Sequence, residues 1–117
     1  MDAITEYQTR AARTLLQEPG FELSSIDIMN IWDAIGLAGE AGEVCDLIKK
    51  GVLHRHGLDL AKLRKEIGDT CWYLAAICTT NNLSLAAIMD ENIRKLLERY
   101  PDGYNSTDSV KRVDVKP

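Results

Sequence analysis

Four acidic residues carry the chemistry that this sequence offers most plainly. Glu40-x-x-Glu43 and Glu66-x-x-Asp69 repeat one spacing. On a helix a three-residue step turns about 300°, which leaves two side chains roughly 60° and one turn apart. Each pair can therefore point at one spot. Glu40 and Glu43 share a face with Gly36, Val44 and Leu47, and Glu66 and Asp69 share one with Leu63, Thr70, Tyr73 and Ile77. These carboxylates follow the stripe that packed helices bury, whereas acids on a solvated face would pair with Lys50, Lys62 or Lys65. Four carboxylates converging between helices repel one another unless cations neutralise them. Hard divalent ions meet that need, magnesium first and manganese as a substitute, because they take carboxylate oxygens and keep water in the remaining positions. A di-iron centre requires Glu-x-x-His pairs and zinc favours nitrogen or sulfur. Here His54 and His56 both fall in a connecting segment.

A second group is complementary in charge. Asn92, Lys95 and Arg99 stand at i, i+3 and i+7, beside an apolar flank of Ile93, Leu96 and Leu97. Such a strip is either a solvated face with cations near a helix C-terminus or, opposite a metal-holding cluster, a phosphate-binding face in which Arg99 offers a bidentate fork. Acids for a metal and cations for phosphate together point to phosphoryl chemistry. Lys49-Lys50 reads better as a charge pair at a helix C-terminus than as a phosphate contact.

The elements that must position these residues are helices. Apolar spacing with capping and stop residues predicts a first helix over Ala3 to Glu18, stopped by Pro19-Gly20, and a second over Ile26 to Lys50, capped by Ser24 or Ser25 and ended by Gly51. A third runs from Leu60 to Thr80 behind Asp59 and closes at Asn81-Asn82; a fourth runs from Leu85 to Arg99 or Tyr100 behind Ser84 and stops at Pro101. Gly51 to Gly57 lacks periodicity and reads as a mobile connection, and residues 105–117 read as a polar, irregular C-terminal tail beyond a domain of residues 1–104. No segment alternates polar and apolar residues, so the expected class is all-α, four-helix bundle-like. The second helix is apolar nearly all the way round, through Ile28, Ile31, Trp32, Ile35, Leu37 and Ile48. Such a helix is buried on more than one side, so the chain is expected to form a homo-oligomer. Trp32 and Trp72 fall to its core or interface. Gly36, Gly39 and Gly42 invite the close approach of another backbone.

Composition narrows the alternatives. With 18 acidic and 14 basic residues the 117-residue chain carries a net charge of −4, which argues against a nucleic-acid binder. No apolar run is long enough to span a membrane and the N-terminus has no leader pattern, so the expected location is cytoplasmic. The three cysteines have no Cys-x-x-Cys spacing. Cys71 and Cys78 are expected as small buried hydrophobes on one helix face, in a reducing compartment.

Taken in order, the run Gly36 to Val44, Lys49-Lys50, Glu66-Ile-Gly-Asp69 with Trp72-Tyr73-Leu74, Asn92-Ile-Arg-Lys95 and Arg99-Tyr-Pro101 resembles the MazG-like nucleotide pyrophosphohydrolases, in their short single-domain form. The resemblance covers Tyr7 to Tyr104. It implies an α-helical dimer or dimer of dimers that binds magnesium and hydrolyses a nucleoside triphosphate to the monophosphate and pyrophosphate, a nucleotide-pool housekeeping reaction. Glu40, Glu43, Glu66 and Asp69 match its metal positions, and Asn92, Lys95, Arg99 and Tyr100 its substrate side. The proton-accepting carboxylate is Glu43 first and Glu40 second. Tyr73, one turn after Asp69, is placed either to stack on a base or to pack in the core. Rival readings are a pyrimidine-specific dUTP or dCTP diphosphatase of the same superfamily and a non-catalytic nucleotide-binding helical module.

Overall fold

A computed structural model describes residues 2–112, and among the described residues every regular element is a helix, without a strand. Helix α1 spans Ala3–Ala11, α2 Ser25–Ile48, α3 Leu60–Thr80, α4 Leu85–Arg99 and α5 Ser106–Lys111. Short polar side chains start each of the central helices. The Ser24 hydroxyl accepts from the Asp27 amide at 3.1 Å while Asp27 accepts from the Ser24 amide at 2.9 Å, a reciprocal capping box. Asp59 accepts from the Lys62 amide at 3.1 Å and Ser84 from the Ala87 amide at 3.1 Å, so α3 and α4 begin where their caps place them.

Three expectations need correction. Helix α1 ends at Ala11 and passes through one 3₁₀ turn, Ala12–Thr14, rather than reaching Glu18. The Thr14 hydroxyl donates to the Ala11 carbonyl at 3.0 Å, a local bond that competes with helix continuation. Gly51 does not end α2, because the helical path widens into a π turn over Lys49–Leu53. A Cβ on Gly51 would stand 2.9 Å from the Leu58 α-carbon, so glycine lets the chain fold back tightly against Leu58. The tail is not wholly irregular: Asn105 accepts from the Asp108 amide at 2.7 Å and starts α5. Residues 113–117 of that tail lie outside the described residues.

The packing is dominated by one antiparallel hairpin, α2 against α3. Its open end is tied by reciprocal amides, Asn81 donating to Asn30 at 2.7 Å and Asn30 returning at 3.3 Å. Beyond Asn82, whose φ of 55° turns the chain, α4 touches α3 only around their shared corner and does not contact α2; α1 packs against neither. The radius of gyration is 20.9 Å, where a compact domain of roughly 100 residues has about 13 Å. Among the described residues only Cys78 and Asp33 are buried. Cys78 sits under the α3–α4 corner, where the Leu83 amide reaches its carbonyl at 2.8 Å, but Cys71 is exposed, because α4 turns away before it can cover that position. Trp32 and Trp72, expected in a core or interface, are mostly exposed in the single chain.

Candidate active site

Antiparallel packing brings the middle of α2 opposite the first half of α3. Carboxylate oxygens of Glu40, Glu66 and Asp69 all lie within 4.8 Å of one another. Glu40 and Glu66 are half-buried and Asp69 opens to solvent. The Glu66 carbonyl accepts from the Thr70 hydroxyl at 2.8 Å, an ordinary helix contact that leaves the carboxylate free to face α2.

The electrostatics of this group are those of a charge cluster lacking its counter-charge. The Glu40 carboxyl is pushed up from its ordinary 4.5 to about 6, first by a hydrogen bond shared with Glu66, then by burial and by the negative charges of Glu66, Asp69 and Glu43. A cation placed among these oxygens would relieve the same repulsion. Three hard oxygen donors from two helices, with one side open to water, fit magnesium or manganese. Glu43, one turn beyond Glu40, is exposed and stands outside the group, while its charge still reaches Glu40.

Tyr73 sits beside the carboxylates. A Cβ on Gly36 would lie 2.2 Å from Cε1 of its ring, so the glycine serves the close approach of a side chain rather than the backbone approach expected; Gly39 and Gly42 face open space. Tyr73 meets Trp72 edge to face at 5.1 Å between centroids. Glu40, Asp69, Trp72 and Tyr73 together line a cleft of about 370 Å3.

The cationic strip is elsewhere in the single chain. Asn92 and Lys95 are exposed on α4, and the Arg99 guanidinium lies 5.4 Å from the centroid of Tyr100, which tilts against Tyr104 at 5.3 Å. Because α4 does not contact α2 and leaves α3 at the corner, these residues are not brought to the acids of their own chain. Lys50 instead bonds Asp46 at 2.7 Å, with Lys49 at 3.7 Å, which lowers the Asp46 carboxyl and raises the Lys50 ammonium. His54 and His56 meet edge to face in the exposed connection.

One residue escaped the sequence reading. Asp33 is buried on the α3-facing side of α2, one heptad before Glu40. That heptad spacing was its only signal.

Comparison with known proteins bears on this site. The family model described as the MazG nucleotide pyrophosphohydrolase domain matches residues 34–104, which include all four acids and the α4 strip. The chain is also similar to the Gene 37 protein of Mycobacterium phage L5, 30% identical over 103 residues that cover 83% of this chain and 88% of that one. No solved structure matches.

Proposed function

Since the chain belongs to the MazG nucleotide pyrophosphohydrolase domain family, we propose that it hydrolyses nucleoside triphosphates to the monophosphate and pyrophosphate with a divalent metal, as a homo-oligomer. The observation that carries this reading is the carboxylate cluster of Glu40, Glu66 and Asp69, whose oxygens lie within 4.8 Å of one another and whose crowding raises the Glu40 carboxyl. Glu43 completes the set of acids from the rim. Bound magnesium or manganese supplies positive charge for the phosphate oxygens and makes a water molecule more acidic. The protein's own part is to hold that charge between two helices and to offer Glu43, the acid outside the tight group, or failing it Glu40, as proton acceptor.

On the substrate side, Asn92, Lys95 and Arg99 hold phosphate oxygens, with Tyr100 beside the guanidinium and Tyr73 along the cleft. Helix α4 does not bring them to the acids of its own chain, so a second copy supplies them. The exposed apolar residues of α1 and α4, among them Ile4, Tyr7, Ile93 and Leu97, provide the surface for that assembly.

The test is a panel of ribo- and deoxynucleoside triphosphates with magnesium, analysed for products. Monophosphate with pyrophosphate is expected. Diphosphate with inorganic phosphate overturns the choice of bond, activity confined to dUTP or dCTP identifies the pyrimidine-specific enzyme, and tight binding without turnover identifies a non-catalytic module.

A further inference from the structure

Next to the carboxylate cleft, α2 and α3 leave a second hollow of about 490 Å3, and Trp72 lines both. Its walls are largely apolar, built around Trp32, Met29, Trp72 and Ala76, with Thr79, Thr80 and Asp33 as polar members. Size and lining are those of a small-molecule site. Trp32 is 72% and Trp72 62% exposed, so both indoles are available to a ligand.

Asp33 is the anomaly in this hollow. It is only 8% exposed, yet its carboxylate has no hydrogen bond or ion pair among the described residues. Its oxygens keep a little contact with solvent, and a carboxylate in so closed a setting gains from any donor that reaches it. It lines the hollow, and a ligand there supplies the donor.

We propose that this hollow seats the nucleobase of the substrate and that Asp33 reads its edge in favour of guanine. The proposal rests on the carboxylate cluster being the triphosphate site. Asp33 precedes Glu40 by seven residues, which places it about 10 Å along the helix on nearly the same face, a span that a nucleoside and its first phosphate bridge. Indole faces stack on any base, so stacking does not discriminate. The carboxylate does, because it is acceptor-only. Guanine presents N1–H and the 2-amino group side by side, two donors for two oxygens. Uracil and thymine present one N–H flanked by carbonyls that face the carboxylate with repulsion. Adenine and cytosine set their amino group beside a ring nitrogen that is itself an acceptor.

The chain has two tryptophans, and both wall the hollow, so their fluorescence reports on it without metal or turnover. Guanosine monophosphate in chelator is expected to quench it at least about tenfold more effectively than uridine monophosphate, a discrimination of the size a paired edge contact provides. Asp33→Asn, nearly isosteric, is expected to reduce that preference about tenfold and to shift the guanine-to-uracil ratio of kcat/KM by the same factor, with helix content and sedimentation unchanged. Trp32→Ala is expected to remove most of the residual quenching response to guanosine monophosphate. Equal quenching by all nucleotides, or an unchanged ratio in Asp33→Asn, overturns the proposal. So does no quenching at all, or dissociation of the oligomer by Asp33→Asn, because a second copy then covers the hollow. Wild-type protein that discriminates guanosine but releases no pyrophosphate overturns the proposed reaction and leaves the base site standing.

Discussion

The ring of Tyr73 on α3 rests against the α-carbon of Gly36 on α2, so closely that a methyl group there would stand 2.2 Å from the ring's Cε1. Gly36→Ala is therefore expected to tilt the ring out of the cleft it shares with Glu40 and Asp69. Helix content should not fall, since alanine favours the helix by about 1 kcal/mol. Turnover should fall by up to about 100-fold, as expected for groups displaced by an ångström. Kinetics on Gly36→Ala, Tyr73→Ala and the double variant check this, with the double expected to lose much less than the product of the singles.

The acids divide by position. Glu40→Gln, Glu66→Gln and Asp69→Asn remove members of the tight group, so each should weaken manganese binding in a metal titration more than Glu43→Gln does. Glu43→Gln should instead fold normally and lose about 100- to 10,000-fold in kcat, the range for a proton acceptor. Unchanged turnover in that variant would remove Glu43 from the chemistry.

The raised Glu40 carboxyl sets a pH dependence whose sign is fixed. Its value is 4.5 ordinarily and about 6 in the fold, so the folded state binds this proton more tightly than the unfolded one. Its contribution is complete below pH 4.5 and is lost as pH rises through about 6. Metal-free protein in chelator should accordingly lose thermal stability over that window. Asp27, lowered by its Ser24 bonds from 3.8, acts in the opposite sense at more acidic pH and does not mask it. Glu66→Gln should flatten the slope.

If α4 of one copy serves the acids of another, two inactive chains should repair each other. Asp69→Asn and Arg99→Ala are each expected to be inactive alone, and to regain measurable turnover when unfolded and refolded together. No recovery, from a mixture shown to contain hybrid oligomers, would place both groups in one chain.

Local chemistry explains which features were legible in the sequence. Caps at Asp59 and Ser84 located α3 and α4, and the matched spacing of Glu40-x-x-Glu43 and Glu66-x-x-Asp69 pointed to the region where three of the four acids meet, because caps and helical period act within a few residues. The end of α2 was misread because Gly51 serves a tight return against Leu58, a tertiary contact that imitates a helix stop. Glu43 falls outside the tight group although Glu66 and Asp69, at the same spacing, both lie inside it, so the spacing alone does not decide which acids converge. The place of Asn92, Lys95 and Arg99 was illegible because the angle at the corner after Asn82 decides it, and no periodicity records an angle. Asp33 carried only its heptad spacing from Glu40, because a single acid on an apolar helix otherwise resembles a solvated one.

The scarcity of buried side chains within one chain also bears on gene dosage. With Cys78 and Asp33 the only buried residues among those described, the proposed assembly makes folding and association one event governed by mass action. The melting temperature then climbs with protein concentration. Halving expression then removes more than half of the assembled protein, so the proposed activity rises more steeply than synthesis.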